Sequence, residues 1–135
     1  MIILGLNINH ADTSACIIVN NKIIAAIEEE RFIRIKHYAG LPINSIEFCL
    51  KQSGLKLKDI NFITVNYSPT ANFMQKTFYS IKNILSKSVL KKILNFKKKL
   101  FHTNDLEKYL KANNFSGKII NIEHHMSHIA SSYYN

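Results

Sequence analysis

Residues 2–27 read IILGLNINHADTSACIIVNNKIIAAI, and this stretch decides the fold class. Three apolar runs of strand length occupy it, at Ile2–Ile8, Ala15–Val19 and Lys22–Ile27. Polar residues separate the first two runs. Asn20-Asn21 separates the last two as a two-residue turn, because asparagine tolerates a positive φ. The stretch therefore predicts three β-strands in hairpin order.

Helix and strand patterns alternate after this opening. Helical spacing of apolar residues predicts a helix over Asn44–Gln52, with Asn44 or Ser45 as the N-cap and Gly54 as the stop. An apolar, β-branched run predicts a fourth strand at Ile60–Asn66. Residues 28–37, which lie between the third strand and the first helix, are strongly charged and predict a polar loop.

The second half of the chain continues the alternation. Residues 70–100 have helical periodicity. A further helix, capped by Thr103 or Asn104, is expected to end near Asn113-Asn114. Lys118–Ile122 is expected to be a fifth strand, followed by another helix from Glu123. The resulting order is β-β-β-α-β-α-β-α. It predicts an α/β protein, one lobe of an actin-like (ribonuclease H-like) ATPase fold, with strands four and five added in parallel beside strand one.

The composition is that of a folded soluble domain. The chain has 135 residues, of which 47% are hydrophobic and 20% charged. No stretch approaches the roughly 20 apolar residues of a membrane span, and no secretory leader is recognisable. Cys16 and Cys49 lie in apolar segments and are expected to be reduced thiols. We therefore expect a cytoplasmic protein that neither spans nor binds a membrane.

The net charge of +9 is concentrated in one segment of the chain. Six lysines occur between positions 87 and 99 with no acidic residue among them. Such a run is either a solvated helix face or a surface that contacts nucleic acid, anionic lipid or a phosphorylated ligand. It contains no arginine and no interleaved ladder of aromatic residues, so no sequence-specific nucleic-acid binding is expected.

The histidine-rich segment near the end of the sequence is the sharpest chemical signal. Residues 123–133 read EHHMSHIASSY. His124 and His128 are four residues apart, the spacing at which helical residues share a face. Two imidazoles in this arrangement form half of a divalent-metal site that needs carboxylates from elsewhere. A phosphate-binding role is the alternative.

Two further clusters contain residues suited to a nucleotide site. The turn after the first strand holds His10, Asp12 and Ser14, and in actin-like folds this turn faces the nucleotide phosphates. The other interpretation is an ordinary polar turn capped by its own side chains. Downstream of Glu28-Glu29-Glu30, the side chains of Arg34, Lys36 and His37 can cradle an anionic group such as phosphate. The alternative there is a salt-bridged surface loop.

Taken together, these clusters resemble the O-carbamoyltransferase family of nodulation and antibiotic biosynthesis. The match is carried by residues of three segments, in order: Ile3-Leu4-Gly5-Leu6 with His10, Asp12 and Ser14; Glu29-Glu30-Arg31-Phe32-x-Arg34-x-Lys36-His37; and His124-His125-x-Ser127-His128. The resemblance covers essentially the whole chain, which corresponds to the opening quarter of a family member. It implies a first actin-like lobe, whose second lobe and C-terminal adenylate-forming domain lie outside this piece.

The resemblance also implies a chemistry. Family members convert carbamoyl phosphate and ATP to carbamoyl-adenylate and then carbamoylate a substrate hydroxyl. Carried over, the metal ligands are His124 and His128, with iron as the expected metal. The catalytic cleft residues implied are His10, Asp12, Lys36 and His37. The implied cofactor-binding residues are Ser14, Arg31 and His125. We expect the isolated piece to be inactive and able to self-associate through exposed apolar surface.

Two other functions remain open from sequence alone. One is a small basic module whose lysine-rich segment binds nucleic acid or an anionic membrane. The other is a different actin-like ATPase or kinase lobe, although sugar kinases lack the His-x-x-x-His pair. Neither the acceptor hydroxyl nor the oligomeric state follows from the residues.

Overall fold

A computed structural model describes residues 1–66 and 105–133. The strands are β1 (Ile2–Asn7), β2 (Ser14–Val19), β3 (Lys22–Glu28), β4 (Phe62–Val65) and β5 (Lys118–Asn121). The helices are α1 (Glu30–Ile33), α2 (Ile43–Ser53), α3 (105–112) and α4 (His124–Tyr133), and a 3-10 turn occupies Leu57–Asp59. The helix predicted for residues 70–100, the lysine-rich segment and the predicted cap at Thr103 or Asn104 lie outside the described residues.

The five strands form one sheet in the order β3-β2-β1-β4-β5. β1 pairs antiparallel with β2, and β2 pairs antiparallel with β3. β4 lies parallel to β1, and β5 lies parallel to β4. This is the mixed sheet of one actin-like lobe, so the predicted fold class and the predicted strand directions are confirmed.

The turn between β2 and β3 has the predicted geometry. Asn20 and Asn21 have φ values of 49° and 64°, in the left-handed region that asparagine tolerates better than most residues. The Asn20 N–H donates to the Met1 carbonyl at 2.9 Å and closes the end of the β1–β2 pair. The hairpin order therefore follows directly from the residues of the turn.

The core lies on one face of the sheet. Alternate residues of the strands, including Leu4, Ile17 and Ile63, are fully buried there, as the period of two along a strand requires. α2 covers this face over β2 and β3 and contributes Ile46 and Cys49, which are also fully buried. The remaining buried apolar residues of the core are Leu6, Ile8, Ala15, Leu57, Ile60, Val65, Leu106 and Leu110.

The N-terminus of α2 differs from the prediction. Neither Asn44 nor Ser45 is the N-cap, which is Pro42. Both residues lie inside the first turn, and their backbone N–H groups donate to the Glu29 carboxylate at 3.1 and 2.8 Å. A buried carboxylate is a stronger acceptor than a local side chain and is favoured by the helix dipole. The predicted stop is confirmed, because Gly54 ends the helix with a φ of 68°.

The charged stretch 28–37 is also more ordered than a loop. Glu30–Ile33 form one helical turn, and Arg34 ends it with a φ of 59° and an N–H that donates to the Glu30 carbonyl at 2.9 Å. The prediction of a loop over this segment is therefore wrong in its first half. Backbone hydrogen bonds form the turn, because the N–H groups of Phe32 and Ile33 donate to the Glu29 carbonyl at 3.0 and 3.2 Å.

Both cysteines are free, as predicted. Burial, and to a smaller extent the nearby Cys16, raise the pKa of Cys49 to about 11, against a backbone hydrogen bond with Ile17 that lowers it. Burial also raises the pKa of Cys16. Among residues 1–66 and 105–133, no helix has the length and apolar character that crossing a membrane demands.

Candidate functional site

The carboxyl ends of β1, β4 and β5 meet at one edge of the sheet, because these three strands are parallel. The segment with His10 leaves β1 there, and the segment that leads into α4 leaves β5 there. The Ile122 N–H donates to the Val65 carbonyl at 2.8 Å, which holds this second segment against the end of β4. The predicted placement of His10 and His124 at the same edge is confirmed, with β4 between them.

Two asparagines hold the start of the loop that follows β1. The Asn7 amide nitrogen donates to the Asp12 carbonyl at 2.8 Å and to the Ala11 carbonyl at 3.3 Å. Asn66, at the end of β4, donates its side-chain amide to the Asn7 side-chain oxygen and accepts from the Ile8 N–H at 3.3 Å. The side-chain amide of Asn7 thus fixes the start of the loop.

Thr13 joins this loop to the segment before α2. Its side chain is buried, and its hydroxyl lies 3.0 Å from the His10 carbonyl and 2.8 Å from the Tyr38 carbonyl. The Gly40 N–H donates to the same hydroxyl at 3.2 Å, and the Thr13 N–H donates to the Tyr38 carbonyl at 3.3 Å. Two segments 25 residues apart in the chain are thereby fastened together.

Next to these hydrogen bonds, two predicted site residues are in contact. His37 Nδ1 lies 3.0 Å from Asp12 Oδ1. An ionised carboxylate only accepts hydrogen bonds, so Nδ1 is the donor, and in the neutral imidazole Nε2 then keeps its lone pair. Both side chains are largely exposed, and both residues have a positive φ, 63° for Asp12 and 55° for His37. The structure therefore brings the two charged clusters of the sequence into contact.

The cations of this site differ in their surroundings. Arg31 lies 3.5 Å from the Glu28 carboxylate and 4.0 Å from that of Glu30. Arg34 and Lys36 are exposed and form no ion pair with any residue in the described parts of the chain. These two cations, three residues and one residue before His37, are thus available to an anionic ligand, whereas Arg31 pairs with its own neighbours.

The remaining predicted residues are spread along the same edge. His10 is exposed in the loop, and Ser14 begins β2, half-buried and in register with Asn7. His124 is the first residue of α4, and both His125 and His128 are exposed on that helix. The Glu123 carboxylate accepts from the Met126 N–H at 3.0 Å and caps the helix.

The described residues contain no group of three or more histidine, cysteine or acidic side chains placed to hold a metal ion. His124 and His128 keep the spacing of a half-site, and imidazole is a suitable ligand for iron and other transition metals. The donor chemistry therefore fits part of a metal site, whose other ligands would come from outside the described residues.

Sequence reasoning missed Thr13, Asn66 and the role of Glu29. Glu29 is buried, and besides the N–H groups of α2 it accepts from the Ser45 hydroxyl and the Asn44 side-chain amide, both at 2.6 Å. A polar residue directly after an apolar strand was an available signal for Asn66. Thr13 and Glu29 gave no local signal, because their partners are distant in sequence.

A groove of about 470 Å³ lies elsewhere, between α2 and α3. It is lined by residues such as Leu57 and Asn114, which precede β4 and β5 in the chain. It therefore lies at the amino ends of these strands, opposite the edge that carries the histidines, and it contains none of the predicted site residues.

Comparison with known proteins identifies the class. Residues 2–135 match the family described as Carbamoyltransferase N-terminus. Because the match covers nearly the whole chain, the protein belongs to this family. The resemblance inferred from the three motifs is confirmed.

Individual relatives are consistent with this membership. The uncharacterized protein sll1178 of Synechocystis sp. is 30% identical over 141 residues, which cover 98% of this chain and 23% of the relative. Nodulation protein NolNO of Sinorhizobium fredii is 46% identical over 52 residues, covering 38% of this chain and 8% of that protein. An uncharacterized 19.2 kDa protein of Rhizobium etli is 52% identical over 44 residues, covering 33% and 26%. The chain thus spans about a quarter or less of the relatives it matches.

Among solved structures, YeaZ from Pseudomonas aeruginosa aligns with 91% of this chain and 45% of its own, at 10% identity and a TM-score of 0.44.

Proposed function

We propose that this chain supplies the N-terminal part of the active site of an O-carbamoyltransferase. In the proposed reaction, carbamoyl phosphate, ATP and water give carbamoyl-adenylate, pyrophosphate and phosphate. The acceptor hydroxyl then attacks the carbamoyl carbon, and AMP leaves as the carbamate ester forms. Membership of the carbamoyltransferase family over residues 2–135 supports the reaction class.

The observation that carries the proposal is the Asp12–His37 pair. With Nδ1 donating to Asp12 at 3.0 Å, the imidazole is held in the tautomer whose Nε2 can accept a proton. His37 is proposed as the general base that takes the proton of the acceptor hydroxyl as it attacks. Asp12 orients the ring and stabilises the imidazolium that forms, a role worth on the order of 10²-fold or more in rate.

The neighbouring cations suit the anionic part of the intermediate. Lys36 and Arg34 lie beside His37 in sequence and are free of ion pairs among the described residues. A lysine ammonium and an arginine guanidinium bind phosphate oxygens as a point charge and as a planar fork, respectively. We assign them to the adenylate phosphate. Ser14, His10, Arg31 and His125 are proposed to complete the nucleotide contacts.

His124 and His128 are proposed as metal ligands, iron being the expected ion, with further ligands from a part of the protein beyond the described residues. When bound, such an ion would supply positive charge at the nucleotide phosphates. The two free thiols fit a reducing compartment such as the cytoplasm. The acceptor is proposed to be a small molecule with a hydroxyl group. The other interpretation, a basic binding module, rests on lysines outside the described residues and stays a prediction.

The test uses a chimera in which this chain replaces the aligned segment of the Synechocystis relative. Pyrophosphate release is measured with ATP and carbamoyl phosphate together and with each alone. In the chimera and in the intact relative, we expect pyrophosphate release that requires both ATP and carbamoyl phosphate. The relative that lacks the segment should release none. Release with ATP alone, or none from either protein, would contradict the proposed function.

A further inference from the structure

We infer that Thr13 is the positioning residue of this site: its buried hydroxyl sets the distance between Asp12 and His37. Thr13 directly follows Asp12, and Tyr38 directly follows His37. The hydrogen bonds between Thr13 and Tyr38 are therefore adjacent, one residue along each segment, to the contact between the two site residues. The catalytic meaning of this inference rests on the proposed function, whereas its structural content does not.

Thr13 forms the hydrogen bonds that a positioning residue needs. It is 1% exposed, so water does not compete for its hydroxyl. The hydroxyl has one hydrogen and two lone pairs. It accepts from the Gly40 N–H at 3.2 Å and shares its hydrogen between the carbonyls of Tyr38 at 2.8 Å and His10 at 3.0 Å. One side chain thus reaches three backbone groups in two segments.

The Asp12–His37 contact needs such support. The Asp12 side chain is 52% exposed and that of His37 76% exposed, and exposed ion pairs are worth about 0–1 kcal/mol, too little to order two segments. Both residues also have a positive φ, which is unfavourable unless the surroundings enforce it. Among the side-chain contacts between these segments, the bond from the Gly40 N–H to the Thr13 hydroxyl is buried, and the bond from this hydroxyl to the Tyr38 carbonyl is partly buried. They therefore hold the geometry that the surface pair adopts.

The first test is made on the 135-residue chain itself by measuring the ring ¹⁵N chemical shifts of His37 at about pH 8, where an ordinary imidazole is neutral. Wild type should show Nδ1 protonated. Thr13→Val, which keeps the shape and removes the hydroxyl, should lose this state and show the Nε2-protonated tautomer. Thr13→Ser, which keeps the hydroxyl, should retain the wild-type shifts.

Each outcome decides. A folded Thr13→Val chain with Nδ1 still protonated overturns the inference, as does a Thr13→Ser chain that loses this state. Circular dichroism checks folding. If Thr13→Val is unfolded, Thr13→Ala, which leaves room for water, takes its place under the same criteria.

The second test uses the chimera and separates this inference from the proposed function. Thr13→Val should lower kcat for carbamoyl transfer to the acceptor hydroxyl, the step assigned to His37, by about 10- to 100-fold, because a misplaced catalytic group loses up to about 100-fold in rate, with the KM for ATP unchanged within about twofold. Thr13→Ser should restore kcat. A change in the KM for ATP with kcat unchanged would contradict a positioning role. If neither the wild-type chimera nor the intact relative is active, the proposed function fails, and the His37 spectra still decide the role of Thr13.

Discussion

Asp12 Oδ1 and His37 Nδ1 lie 3.0 Å apart across two segments that the strand order brings to one edge of the sheet. Both residues are in the left-handed region of φ, where aspartate and histidine are found more often than most residues. Backbone conformations of this kind persist where neighbouring structure enforces them, and they concentrate at functional sites. The fold therefore enforces the backbone conformation of the two residues to which the proposed chemistry is assigned.

The buried carboxylate of Glu29 is expected to be a main contributor to stability. It accepts four hydrogen bonds from the first turn of α2. Glu29→Gln replaces one oxygen by an amide that donates, which leaves buried N–H and O–H donors without an acceptor. We expect the free energy of unfolding to fall by about 3 kcal/mol, measured by urea denaturation.

The adjacent Glu28 provides the matched control. It is exposed and pairs with Arg31 at 3.5 Å, and such surface pairs contribute about 0–1 kcal/mol. Glu28→Gln should therefore change the free energy of unfolding by less than about 1 kcal/mol. Equal losses from the two substitutions would show that the hydrogen bonds of Glu29 do not stabilise the protein.

Gly117, at the entry to β5, has no space for a side chain. A Cβ there would lie 2.5 Å from the Asn61 carbonyl oxygen and 2.6 Å from that of Ile60. Since both are backbone atoms, Gly117→Ala must displace the start of β5 and is expected to cost about 1–3 kcal/mol. At Gly5 the nearest atom, Thr64 Oγ1, would lie at 3.4 Å, so Gly5→Ala should be nearly neutral. Thermal unfolding of the two variants compares them.

The pH dependence of stability should change at alkaline pH because of Cys49. Burial raises the pKa of its thiol from 9.0 to about 11 in the folded state. Between these values the unfolded chain has lost the proton and the folded chain retains it, so the unfolded state binds fewer protons and stability falls as pH rises. Below pH 9.0 the effect is absent.

The measurement is Tm against pH for wild type and Cys49→Ala. The alanine variant is less stable throughout because of its cavity, but its Tm should fall less steeply than that of wild type between pH 9 and 11. Cys16, whose pKa is also raised by burial, is present in both proteins, so the difference between the two curves reports the removal of Cys49. Parallel curves would contradict the raised pKa of Cys49.

The histidines of α4 give a prediction about metal content. Two neutral imidazoles bind divalent metals weakly, so the purified chain should be mostly metal-free. The chimera should hold about one metal ion, and His124→Ala or His128→Ala should abolish it. His125→Ala is the control and should weaken binding less. Elemental analysis of the purified proteins gives the stoichiometry, and an unchanged value in the His124/His128 double variant would remove these residues from the site.

The strand order could be predicted from sequence because its signals are local. Apolar runs of strand length, the Asn20-Asn21 turn and the stop at Gly54 each depend on neighbouring residues, and all agree with the structure. The same holds for the sheet edge shared by His10 and His124, which follows from parallel strands. Family motifs predicted the clusters that contribute to the proposed site, and the contact between Asp12 and His37 joins two of them.

The connections within the site could not be predicted in the same way. Thr13 and Tyr38 are 25 residues apart, Glu29 and Ser45 are 16 apart, and Asn7 and Asn66 are 59 apart. Such pairs depend on the packed arrangement of several elements. The predicted caps of α2 were wrong for this reason, since a distant carboxylate replaced the local side chains.

The most direct test of the central claim is a double-mutant cycle on Asp12 and His37 in the chimera. Asn tolerates a positive φ at both positions, so Asp12→Asn and His37→Asn preserve the backbone while removing the carboxylate and the base. The quantity measured is kcat for carbamoyl transfer to the acceptor hydroxyl. If the residues act as one unit, each single variant loses about 100-fold, and the double variant loses about the same 100-fold. A double variant that loses about 10⁴-fold, or single variants with full activity, would contradict the account.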